Sequence, residues 1–170
     1  MRNHFLFHYV ISGTGTLIAE NSKKESISYS IKSGQGFMIF PNQICTYIAD
    51  AQQPWEYVWI EFDGLRAKET VELSGLCVNS PVYKAKYKDV AQTMKDEMLY
   101  IINHKDDSPF HLIGHLYLFI DSFVKSSAIT QISKSNNLRD FYIKEALSFI
   151  EQNFQNDITV EEIAACCGLN

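Results

Sequence analysis

Residues 55 to 62 read WEYVWIEF. Side chains alternate across a strand, so Trp55, Tyr57, Trp59 and Glu61 share one face, and Glu56, Val58, Ile60 and Phe62 share the other. The first face carries aromatic planes and one carboxylate. The second is ordinary core material. A strand that is largely apolar on both faces needs a packing layer on each side, as in a sandwich or barrel covered by a further layer.

The neighbouring segments agree. FLFHYVIS, GTLIAE, ISYSI, GFMIF and ICTYIAD are short runs rich in β-branched and aromatic residues, separated by the turn-forming stretches SGTG, ENSKKES and KSGQG. Residues 1 to about 63 therefore read as all-β. The GTG at Gly13–Gly15 is not a dinucleotide loop. Ile18 stands where a third glycine is required, and strands follow instead of a helix, so a turn or bulge is expected.

Helical periodicity takes over from about residue 85 to 125. Tyr87, Val90, Met94, Met98 and Ile101 form one apolar stripe. HKDDSPF interrupts it. Ser108 is a suitable N-cap and Pro109 suits the first helical position. The next helix, to about Val124, carries Leu112, Leu116, Phe119 and Phe123 on one side, with Ile113, Tyr117, Ile120 and Val124 beside them. That stripe is wider than one small sheet needs to cover, which leaves two readings: complete burial inside one domain, or a helix-to-helix homodimer contact through Leu112, Leu116, Phe119 and Phe123.

KSSAITQISKSNN, residues 125 to 137, is polar and reads as a helix tail followed by a linker. Ile143, Ala146, Leu147, Ile150 and Phe154 then mark another amphipathic helix. In TVEEIAACCGLN, residues 159 to 170, Thr159 and Glu162 form a capping box. Val160, Ile163, Ala164 and Cys167 fall on one face of a short helix, and Gly168 suits its end. Asn170 could cap a further helix, so the stretch reads as the first half of a helix-turn-helix.

Composition narrows the function. The chain has 170 residues, 46% hydrophobic and 13% aromatic, enough for one main domain and a small appendage. Its net charge of −5 argues against strong nucleic-acid binding by this stretch alone. Cys45, Cys77, Cys166 and Cys167 form no CxxC pair and read as reduced thiols, not metal ligands. No apolar run is long enough to span a bilayer, and no signal peptide is visible. Cytoplasmic localisation and no membrane partner are expected.

LFHYVISGTGTL, GQGFMIFPNQICTYIAD and PWEYVWIEFDG closely resemble the effector-binding domain of AraC-type transcription regulators, particularly those sensing sugars. IKEALSFIEQNFQNDITVEEIAACCGLN resembles the opening of that family's DNA-binding domain. The resemblance implies an α+β fold. A cupin-like effector-binding barrel or sandwich would occupy residues 1–84, a helical dimerisation subdomain 85–127, a linker 128–137, and the start of a helix-turn-helix DNA-binding domain 138–170. It implies a fragment lacking the recognition helices, so that DNA is a partner only of the full-length protein.

The resemblance also directs attention to the pocket. Tyr57, Trp59 and Tyr47 match positions where the family's sugar sensors keep ligand contacts. Aromatic planes suit the C–H faces of a sugar, and Glu61 can accept hydroxyl hydrogen bonds on the same strand face. Parity along the first strand groups Arg2 and Ser12 with His8, so these three are expected beside them. The family often places an arginine near the position of Ser12, and Arg2 is the candidate substitute. Trp55, at the strand start, is assigned to packing.

Cupin-like barrels also host metal enzymes, so a cupin-type metal enzyme acting on a sugar or small metabolite is the alternative. Such enzymes carry His-x-His, but Val10 stands two residues after His8, and Cys45, Thr46 and Tyr47 stand where a later histidine ligand is wanted. No nucleophile, base and orienter set is present either. The expectation is a non-enzymatic regulator with no cofactor and no metal, responding to a mono- or oligosaccharide. A second alternative is a regulator whose barrel serves only dimerisation or partner contact.

Overall fold

A computed structural model of the chain describes residues 3–64, 66–129 and 138–168. It forms two compact units, Met1–Gln131 and Ile132–Asn170. The first contains β1 (Phe5–Ser12), β2 (Thr14–Glu20), β3 (Ser26–Lys32), β4 (Gln35–Ile39), β5 (Cys45–Ala49), β6 (Glu56–Phe62), α1 (Ala67–Leu73), β7 (Val82–Lys84), α2 (Lys88–Asn103) and α3 (Pro109–Ser126).

The strands form two antiparallel sheets, in the orders β6-β1-β4-β7 and β3-β2-β5. Gly13, at φ 73°, makes the tight passage from β1 to β2 that the GTG stretch predicts. Gly34, at φ 79°, follows Ser33 in the two-residue turn between β3 and β4.

The central strands β1 and β4 of the four-stranded sheet are packed on both faces, which explains their apolar runs. One face joins Leu6, Val10, Phe37 and Ile39 to Leu17, Ala19 and Ile31 of the other sheet. Its opposite face joins Phe7, Tyr9, Met38 and Phe62 to Val71 of α1, Met94 and Met98 of α2, and Phe119 and Phe123 of α3. The parity read from WEYVWIEF matches this division. Val58, Ile60 and Phe62 pack on the helical side, and Trp55 and Tyr57 on the inter-sheet side.

The helices correct two expectations. Met94 and Met98 are buried as their spacing predicts, but Tyr87 is the N-cap of α2 and is half exposed. Ser108 caps α3, accepting a hydrogen bond from the His111 amide, with Pro109 in the first turn. Phe119 and Phe123 do not lie on a free dimer face. Both are fully buried against Phe7 and each other within the unit. A side chain with no exposed surface has none to offer a second copy. Leu112 and Leu116 are half-buried, and the open side of α3 instead carries Phe110, 86% exposed, with Ile113 and Tyr117.

α1 and β7 have no counterpart among the predicted elements. Of the expected linker, Ala128 donates a backbone hydrogen bond to Lys84, and Ile129 lies against Gly75. Residues 130–137 lie outside the described residues. The second unit holds α4 (Leu138–Asn153) and α5 (Val160–Cys166). Both halves of the capping box between Thr159 and Glu162 are formed, and Gly168 ends the helix at φ 67°. α4 forms where a helix is expected, but the predicted stripe is not its covered side: Ile143, Leu147 and Ile150 are exposed, and Phe154 lies one residue past the helix. The expected cap at Asn170 lies outside the described residues.

Candidate functional site

The site is built by register. β1 lies between β4 and β6, and His8 stands directly opposite Phe37 on one side and Trp59 on the other. Cross-strand partners project to the same face. Phe37, His8 and Trp59 therefore form a row across the inter-sheet face, with Val10 opposite Tyr57 and Leu6 opposite Glu61 on either side of it.

The second sheet completes the layer. Tyr47 of β5 pairs with the buried Leu17 and brings its ring to 4.9 Å from the His8 ring. His8 stacks on Phe37 at 4.5 Å and meets Tyr57 at 5.2 Å. Trp55 contacts Phe37, Tyr47 and Tyr57 at 5.8, 6.5 and 6.1 Å. Five rings thus pack as one cluster. His8 is only 1% exposed and forms its floor.

The open part of the face is farther along β6. Trp59 is 52% exposed, and Glu61, two residues on, is exposed as well. Glu61 therefore avoids the desolvation penalty that a carboxylate within an aromatic strand would suffer if buried. An indole plane and a carboxylate share one solvent-reached strip, next to the wall made by His8 and Tyr47. Such a strip can stack an apolar ring face and accept hydroxyl donors at its edge.

His8, Tyr47 and Tyr57 are thus brought together, with Trp59 and Glu61 beside them. Ser12 is not brought in. The register between β1 and β6 shifts between Val10 and Ser12, so Ser12 pairs with Glu56 on the opposite face, and its hydroxyl donates to the Glu56 carboxylate at 3.5 Å. The bulge breaks the parity that grouped it with His8. Arg2 lies outside the described residues.

Two ring partners were not among the predicted site residues, Phe37 and Trp55. Phe37 sits in GFMIF, where apolar residues occupy both faces, so parity cannot single it out; only its register with His8 does. Trp55 does pack, as assigned, but within the site cluster. Among the described residues, no group of three or more His, Cys, Asp or Glu side chains is placed to hold a metal ion. No described helix is long and apolar enough to cross a membrane.

Comparison with known proteins agrees with this architecture. The family described as the AraC-like ligand binding domain matches residues 1–120. The chain is similar to the Msm operon regulatory protein of Streptococcus mutans, 23% identical over 96% of this chain and 58% of the relative. It is also similar to the raffinose operon transcriptional regulatory protein RafR of Pediococcus pentosaceus, 27% identical over the same shares of the two chains. The crystal structure of the AraC-like transcriptional activator CuxR shares the fold, with a TM-score of 0.51 at 14% identity, covering 99% of this chain and 58% of that one. The chain therefore spans 58% of the length of each of these relatives.

Proposed function

The chain belongs to the AraC-like ligand binding domain family, and from that premise we propose that it is the sensing portion of a transcription regulator that responds to a small saccharide. The observation that carries this reading is the exposed pair Trp59 and Glu61 on the inter-sheet face, beside the ring cluster of His8, Tyr47 and Tyr57. A pyranose can stack on the indole while its hydroxyls donate to the carboxylate. The buried His8 ring packs behind that surface, against Tyr47 and Tyr57. The name of one relative, a raffinose operon regulator, supports a saccharide, and raffinose, an oligosaccharide, heads the set to test.

In this reading residues 1–84 bind the effector and residues 85–127 form the dimerisation layer. Residues 128–137 link these to the start of a DNA-binding domain at 138–170. A homodimer would bring the open side of α3, with Phe110, Ile113 and Tyr117, against a second copy. Effector binding would then bias how two DNA-binding domains meet paired half-sites, a coupling of about 1–3 kcal/mol in such switches. DNA is contacted through the full-length protein. Calorimetric titration with raffinose and its component sugars tests the reading. Saturable binding that Trp59→Ala weakens at least ~10-fold, with folding retained, supports it. Undiminished binding by folded Trp59→Ala places the sugar elsewhere.

A further inference from the structure

A second concavity lies on the other side of the same sheet. Tyr9 falls between His8 and Val10 in β1 and so faces the helices. It lines a cleft of about 410 Å³ with Lys32, Gly34, Gln35, Lys84 and Lys88. The cleft sits where the turn between β3 and β4 approaches β7 and the first turn of α2.

Its chemistry is one-signed. Three lysines line it and no Asp or Glu does, in a chain whose net charge is −5. None of the three ammonium groups forms an ion pair with a described residue. α2 adds the N-terminus of a 16-residue helix whose N-cap, Tyr87, supplies no side-chain cap, although Asp89 in its first turn offsets part of the positive end and does not line the cleft. Tyr9 gives a separate indication. It is only 7% exposed, yet its phenol, the one polar group of its side chain, makes no hydrogen bond with any described residue. The oxygen is not sealed in the core but reaches solvent, so it is open to a ligand at the cleft that Tyr9 lines.

We propose that this cleft binds the phosphoryl group of a small metabolite, with Lys32, Lys84 and Lys88 neutralising its charge and the Tyr9 hydroxyl donating to one of its oxygens. Three cations are more than a single carboxylate would balance, whereas a phosphate monoester carries close to two charges at neutral pH. Lysine is a common point-charge partner for phosphate. The volume is within the range of small-molecule sites, about 300–1,000 Å³. The site is independent of the saccharide reading, which uses the opposite face of the sheet.

The test uses the whole chain at constant ionic strength. Inorganic phosphate, glucose 6-phosphate and glucose are titrated while the backbone amides are followed by NMR. Phosphate and glucose 6-phosphate should give saturable shifts at Gly34, Lys84 and Lys88, and glucose should give none there. The Lys84→Gln, Lys88→Gln double variant removes two exposed charges and should weaken binding at least ~10-fold. Tyr9→Phe keeps the packing and breaks no existing hydrogen bond, so it should weaken binding several-fold without lowering Tm. Equal, non-saturating responses in the wild type and the lysine double variant would overturn the proposal. So would a short DNA duplex that binds more tightly than glucose 6-phosphate and loses that binding in the double variant, because the cleft would then serve nucleic acid.

Discussion

Gly15 and the Trp55 ring occupy adjoining space so closely that a Cβ on Gly15 would stand 2.4 Å from Cε3 and 2.5 Å from Cζ3 of the indole. The same Cβ would lie 2.6 Å from the carbonyl oxygen of Ile48, on the strand paired with Gly15. Moving the indole relieves only the first of these clashes, because the Ile48 carbonyl belongs to the backbone, so both the ring and the ladder must shift. Gly15→Ala should therefore displace Trp55 from its contacts with Phe37 and Tyr57, costing about 1–3 kcal/mol as an overpacked core does. Urea unfolding measures the loss. Adding Trp55→Phe should recover part of it, and strict additivity of the two changes would mean that Gly15 matters for another reason.

That contact shows what was legible in the sequence and what was not. The alternation in WEYVWIEF was local information, and it correctly separated Tyr57 and Trp59 from Val58 and Ile60. Ser108–Pro109 and Thr159–Glu162 were also legible, because a cap is complete within four residues. Ser12 was misplaced because a bulge near Ile11 changes parity, and no residue type at that point announces it. Phe37 was missed because its role depends on register with a strand some thirty residues earlier. α1 has seven residues and β7 three, too few for a period to emerge. On α3 both flanks are apolar, so the pattern gave the helix but not the side that faces the sheet.

The helix layer separates core from interface by experiment. Phe119→Ala removes a fully buried ring and should lower stability by about 3–5 kcal/mol, whatever the oligomeric state. Tyr117→Lys, at a side chain 61% exposed, should leave stability nearly unchanged and turn dimers into monomers in sedimentation velocity. A wild-type chain that sediments as a monomer at high concentration removes α3 as a dimer surface.

Alkaline pH should probe the same core. Tyr83 is buried, and its phenol is 2.6 Å from the Ser126 hydroxyl. Burial pushes its pKa from 10.0 up to about 12, and the Ser126 hydrogen bond opposes the rise in part. Below pH 10 folded and unfolded chains both hold the proton, and its contribution is fully present. Between pH 10 and 12 the folded state alone retains it, so stability falls by about 1.4 kcal/mol per pH unit from this group. Burial raises Tyr9 and Tyr29 as well, in the same direction. Tyr83→Phe should flatten, but not abolish, the decline in unfolding free energy over that interval. An unchanged slope would show that Tyr83 does not titrate across it.

The sharpest test of the saccharide face compares neighbours on one strand. Trp59 and Glu61 are two residues apart on the inter-sheet side of β6, so their side chains leave the strand about 7 Å apart. Glu61→Gln keeps the shape and removes the charge, whereas Glu61→Ala removes the acceptor altogether. Affinity should therefore fall in the order wild type, Glu61→Gln, Glu61→Ala, with hydroxyl bonds to the carboxylate contributing about 1.5–3 kcal/mol in total loss. Tyr47→Phe asks whether the phenol on the facing sheet bonds the ligand. Val58→Ala is the control, since Val58 packs on the helical side. It should lower Tm and leave the calorimetric affinity of folded protein unchanged. Loss of binding in Val58→Ala with full binding in folded Trp59→Ala and Glu61→Ala would invert the assignment and move the effector to the helical side of the sheet.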